Sequence, residues 1–165
     1  MIRTFVFGAL AAYVTLAGTA SAGPGASGHG HVEGHHDDDL AFGEPGDPKQ
    51  PSREIIIVMK EEDGMMLFSP NAITVSQGEQ ILFKVKNEGV LDHELVVATL
   101  DANLKHAEEM AENPDMEHDD PNAKRLTPGG SGEILWKFTD AGTFDFSCLI
   151  PGHREAGMSG SIVVK

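Results

Sequence analysis

The sequence predicts an all-β fold, a Greek-key β-sandwich, and three observations predict it. Apolar residues recur at every second position, as in Ile81, Phe83 and Val85, or Ile134, Trp136 and Phe138. That period is the mark of a half-buried strand. Turn residues separate the runs: Ser69-Pro70-Asn71, Gln77-Gly78, Asn87-Glu88-Gly89, Pro128-Gly129-Gly130 and Asp140-Ala141-Gly142. Seven or so such runs within about 110 residues give the strand density of a sandwich.

Taken in order, the chain opens on an address. Met1-Ile2-Arg3 carries one positive charge, Thr4 to Gly18 is uncharged and largely apolar, and Ala20-Ser21-Ala22 is a small-residue cleavage pattern. This is the layout of a secretory signal peptide over 1–22, cut between Ala22 and Gly23. Residues 23–52 are poor in large apolar side chains and rich in Gly, Pro, His and Asp. Such a segment cannot bury enough surface to offset its ordering entropy, so it reads as a flexible tail. The folded domain is then 53–165, beginning near Arg53.

Within that domain strands are expected at Glu54–Met59, Ile73–Val75, Ile81–Lys86, Asp92–Ala98, Ile134–Phe138, Thr143–Cys148 and Ser161–Lys165. One insertion breaks the rhythm. Leu104, Ala107 and Ala111 fall at helical spacing behind a possible Asp101 cap, which predicts a short helix over Asp101–Glu112. The acidic stretch NPDMEHDDPNAK, 113–124, follows as a loop.

Composition narrows the function. A formal net charge of −14 disfavours nucleic acid and anionic membrane as partners. No later stretch approaches the roughly 20 apolar residues of a membrane-spanning helix, so no membrane insertion of the mature chain is expected. The expected location is the periplasm. An exported chain meets oxidising conditions, yet its single cysteine cannot close an internal disulfide. That thiol is buried and inert, paired with another molecule, or bound to something.

Strand parity puts Cys148 on the core side at the end of Thr143–Cys148, with Phe144 and Phe146. The same count puts His93 on the face of Leu95 and Val97. Pro151-Gly152 allows a reversal that returns His153 towards the sulfur, and Glu155-Ala156-Gly157 carries the chain to Met158. One thiolate, two imidazoles and one thioether make the ligand set of a type 1 copper site, one copper per chain. Taken singly, each has a blander reading: Cys148 as a small buried hydrophobe, His93 as a satisfied core histidine, Met158 as a gap filler. Zinc could use the same ligands, but no Cys-x-x-Cys pair is present.

The spacing Cys148-x4-His153-x4-Met158, with Pro151-Gly152 inside it, resembles the cupredoxin family, and is close to the auracyanin-like loop. GEPGDP, LDHEL, MEHDDPNA and CLIPGHREAGM, behind a His-rich leader, resemble the small periplasmic copper-tolerance cupredoxins of the CopI-like group. The resemblance implies His93 as first imidazole ligand, Cys148 as thiolate, His153 as second imidazole and Met158 as axial thioether. Many relatives carry Asn after the first histidine, where it helps tie the ligand loop to the neighbouring strand. Here Glu94 stands in that place.

Further metal sites are conceivable. His29, His31, His35 and His36 beside Asp37–Asp39 could capture metal loosely or belong to a solvated linker. Met110, Met116 and His118, with His106 nearby, could form a softer second site. Asp119-Asp120 could meet a basic partner.

Two functions remain open. Copper tolerance is favoured by the tail, the Met/His loop and the resemblance. The alternative is a soluble electron carrier, a monomer whose redox protein partner docks near His153 on an apolar rim of Pro151, Ala156 and Met158. An enzyme is not expected, because multicopper enzymes need many more histidines on folded strands.

Overall fold

The computed structural model describes residues 42–113 and 120–165. The expected signal peptide, its cleavage point and the leader histidines lie outside those residues. The elements run β1 (Gly43–Pro45), β2 (Arg53–Glu62), β3 (Met65–Ser69), β4 (Ala72–Val75), β5 (Gln80–Asn87), β6 (His93–Ala98), α1 (Leu100–Glu112), β7 (Ala123–Leu126), β8 (Ser131–Phe138), β9 (Gly142–Ser147) and β10 (Ser159–Val164). They form two five-stranded sheets, ordered β1-β8-β5-β2-β3 and β4-β10-β9-β6-β7. The β2–β5 and β4–β10 pairs are parallel and the other pairs antiparallel. The expected sandwich is therefore the observed one.

Alternation fills its core. Ile81, Phe83 and Val85 of β5, Ile134, Trp136 and Phe138 of β8, Leu95 and Val97 of β6, and Phe146 and Ile162 of the second sheet are buried between the layers. Burying each such side chain removes on the order of 1.5–3 kcal/mol worth of apolar surface from water.

Three strands were not expected. β3 follows β2 through Asp63 and Gly64, whose φ values of 52° and 81° make the tight Asp-Gly hairpin turn. That dipeptide is a turn signal in the sequence. β7 is short and only Leu126 of it is buried, so it shows no alternation. β1 lies inside the segment read as flexible, so strand pairing begins before Arg53. Phe42 is buried and stacks on Trp136 with ring centroids 5.0 Å apart, and Gly43–Pro45 pairs with Phe138–Trp136. One aromatic side chain is enough to pin an otherwise polar stretch to the sheet edge.

The helix is present but differs in cap and phase. Thr99 is the N-cap, its Oγ1 accepting from Ala102 N–H at 3.1 Å, in place of Asp101. Its buried residues are Asn103 and Met110, while Leu104 is 44% exposed and Ala111 is exposed. A polar residue takes the inward position because Asn103 Nδ2 donates to Asp145 Oδ2 at 2.7 Å and to the Val96 carbonyl at 3.3 Å. Met110 packs with Val96 and Leu149 in a second small core. The helix packs on β6 and β9 and covers Asp145 through Asn103; Glu94 and Ser147, like Asp145, are buried although they alternate with core-facing residues.

Candidate metal centre

Three of the four expected ligands, His93, Cys148 and His153, bring donor atoms together at one pole of the sandwich, and the backbone of Met158 lies beside that of Cys148. His93 opens β6, Cys148 follows the last residue of β9, His153 lies in the β9–β10 loop, and Met158 immediately precedes β10. Sheet register delivers the first two, since β6 and β9 are hydrogen-bonded neighbours.

The loop's own hydrogen bonds deliver the rest. His153 N–H donates to the Ile150 carbonyl at 3.0 Å, and Gly152 supplies the reversal with a φ of 87°. A side chain at that φ would be strained, which is why glycine suits the position. Met158 N–H donates to the His153 carbonyl and Cys148 N–H to the Met158 carbonyl, both at 3.1 Å. The chain thus closes on itself with Met158 beside Cys148.

The donor atoms converge. One nitrogen from each of His93 and His153 and the Cys148 sulfur lie within 4.8 Å of one another. His153 Nδ1 is 3.2 Å from His93 Nδ1 and 3.3 Å from Cys148 Sγ. Among the described residues this is the cluster of His, Cys, Asp and Glu arranged to hold a metal. His93, Cys148 and Met158 are fully buried, and His153 keeps 9% of its surface.

Burial governs the electrostatics. Desolvation pushes the Cys148 thiol up to about 12, although the N–H groups of Glu94 and Ile150 favour the thiolate. Desolvation, with the neighbouring His93, holds His153 below the ordinary imidazole value. A neutral imidazole offers a lone pair, and a buried thiol becomes a thiolate readily only beside a cation. Soft sulfur with imidazole nitrogen is a donor set that fits copper.

Glu94, where the resemblance implies Asn, ties β6 to the ligand loop. Its N–H donates to Cys148 Sγ at 3.4 Å, and its Oε1 accepts from Leu149 N–H at 3.0 Å. Other supports escaped the sequence reading. Asn87 Nδ2 donates to the carbonyls of Leu91 and Leu126, at 2.7 and 2.9 Å, holding the loop before His93. Asp145 accepts from Asn103, Ser147 and both terminal nitrogens of Arg154, so the residue after His153 is anchored to β9. The longest of these ties, Asn87 to Leu126 and Asn103 to Asp145, span 39 and 42 residues and so leave no local signal.

One expectation changes. Met158 is buried and so cannot line the apolar rim. Exposed apolar surface here comes from Pro151, from Val90 and Leu91 in the loop before His93 (80% and 43% exposed), and from Met65 beside Gly157 (48% exposed). Of the residues considered for a second site, Met110 is buried against Val96 and Leu149, and His106 sits 3.5 Å from Glu109. Met116 and His118 lie outside the described residues.

Comparison with known proteins agrees with this geometry. Residues 55–165 match the family described as copper binding proteins, plastocyanin/azurin family. The chain is 46% identical over 144 residues to the copper-resistant cuproprotein CopI of Rubrivivax gelatinosus, covering 84% of this chain and 86% of the relative. It is 36% identical to the protein of the same name from Pseudomonas aeruginosa, covering 76% and 83% respectively. A reduced auracyanin from Roseiflexus castenholzii superposes with a TM-score of 0.55 at 26% identity, over 67% of this chain and 96% of that one.

Proposed function

Because this chain belongs to the copper-binding proteins of the plastocyanin/azurin family, we propose that it is a periplasmic copper-tolerance protein holding one copper through His93, Cys148, His153 and Met158. The observation that carries this reading is the convergence of Cys148 Sγ and two imidazole Nδ1 atoms, 3.2–3.3 Å apart at their closest, in a buried pole. The name shared by the relatives, copper-resistant cuproprotein, supports the tolerance role.

Copper bound there supplies one-electron chemistry between Cu(I) and Cu(II). The residues hold and insulate it. Cys148 and the histidines are fixed by sheet register and by the closed loop, so little needs to rearrange between oxidation states. Burial excludes water from the sulfur, protecting the lone exported thiol from oxidation. The site is closed by protein ligands, which favours storage and electron movement over turnover of a substrate. No helix among the described residues is long and apolar enough to cross a membrane.

Titrating the mature protein with Cu(II) while recording visible absorption tests the site. Intense bands saturating near one copper per chain, and absent in Cys148→Ser, are expected. Copper uptake without those bands would sink the assignment of Cys148. A second reading, an electron carrier docking a redox protein near His153, draws on the exposed Val90, Leu91 and Met65. A deletion strain separates the two. Copper sensitivity with ordinary respiration supports tolerance, and lost electron flow at ordinary copper supports the carrier.

A further inference from the structure

Three donors converge on the Glu61 carboxylate at the end of β2. Val90 N–H donates to Oε2 at 2.9 Å and Leu91 N–H to Oε1 at 3.0 Å. His93 Nε2 lies 2.9 Å from the same Oε1. The fold makes room for this group: a Cβ at Gly89 would collide with the Glu61 carboxylate. Glu61 is therefore built into the loop that leads to His93.

The chemistry of the contact sets the state of the ring. A carboxylate only accepts hydrogen bonds, so Nε2 must carry the imidazole proton. Nδ1 then keeps a bare lone pair, and Nδ1 is the atom facing His153 at 3.2 Å. We propose that Glu61 is a positioning residue for His93, fixing its tautomer and rotation so that the Nδ1 lone pair is presented to the metal and Cu(II) is favoured over Cu(I). A carboxylate behind a ligating histidine acts in this way at metal sites generally. The proposal rests on the copper reading of the site. It also links that site to the exposed Val90-Leu91 loop, since one carboxylate holds both.

Two measurements test it. In the metal-free protein, long-range nitrogen NMR should show His93 as the Nε2–H tautomer. Glu61→Ala should shift it towards Nδ1–H, and Glu61→Gln, which keeps an accepting oxygen, should leave it in place. An unchanged tautomer in Glu61→Ala overturns the orienting role. In the loaded protein, Glu61→Gln should weaken Cu(II) binding on the order of 10- to 100-fold and Cu(I) binding less. A tenfold change in that ratio is a rise of about 59 mV in one-electron potential. Parallel loss of both affinities would make Glu61 merely structural and overturns the tuning role. A wild type that takes up no thiolate-bound copper overturns the copper reading instead, and the tautomer result then decides the orienting role alone.

Discussion

Glu94 and Leu149 join the chain segments that carry His93 and Cys148: the Glu94 carboxylate accepts from Leu149 N–H at 3.0 Å, while Glu94 N–H donates to Cys148 Sγ at 3.4 Å. One residue thus fixes both the ligand atom and the backbone that follows it. Glu94→Ala leaves a buried N–H without that acceptor, which costs about 1–3 kcal/mol. Urea unfolding of the metal-free protein should show this loss, and Glu94→Gln, which keeps an oxygen at the position, should recover much of it. Equal midpoints for wild type and Glu94→Ala would remove the tie from the account.

The buried thiol predicts alkaline sensitivity in the metal-free protein. Its pKa rises from an ordinary 9.0 to about 12 in the folded chain, chiefly by desolvation. The folded state therefore keeps its proton where the unfolded chain has lost it. This contribution is fully present below about pH 9 and is lost as pH rises towards 12, at about 1.4 kcal/mol per pH unit. Thermal midpoints of wild type and Cys148→Ser, compared between pH 8 and pH 10.5, isolate the effect from lysine titration. The wild type should fall more steeply, and parallel curves would contradict the burial argument.

Asp145 gathers α1, β9 and the ligand loop into one polar network. It accepts from Asn103, Ser147 and Arg154, all buried or nearly so. Asp145→Ala strips a guanidinium and an amide of their acceptor at once, a loss on the order of 3 kcal/mol for a buried pair. Amide exchange should quicken at His153, Ala156 and Gly157, which follow Arg154's anchorage. Unchanged exchange there would mean that the loop's own backbone bonds suffice.

How far these relationships were legible depends on their range. Period two placed His93 with Leu95 and Val97, and Cys148 with Phe146, because parity is local and a buried face enforces it. The Cys148, His153 and Met158 spacing was legible for the same reason, one short loop closing on itself. Glu61 was invisible. It stands among Glu62 and Asp63 with nothing to mark it, and its partner His93 lies 32 residues on. The phase of α1 departs from the apolar spacing of Leu104, Ala107 and Ala111 because Asn103 turns inward to satisfy Asp145. Phe42 was lost inside a polar stretch whose composition outweighed one aromatic ring.

Met110 offers the last separation of core from ligand. It is fully buried against Val96 and Leu149, on the inward face of the helix that packs on β6 and β9. Truncation to Ala removes three heavy atoms from a packed site, and such changes cost about 2–5 kcal/mol. Met110→Ala should therefore lower the thermal midpoint of the metal-free protein while copper still saturates near one per chain with unaltered thiolate bands. Met158→Leu should do the reverse, preserving volume and most of the stability while shifting the bands. If Met110→Ala instead lowered the copper stoichiometry without touching stability, its thioether would be a ligand and the packing account of the helix would have to be abandoned.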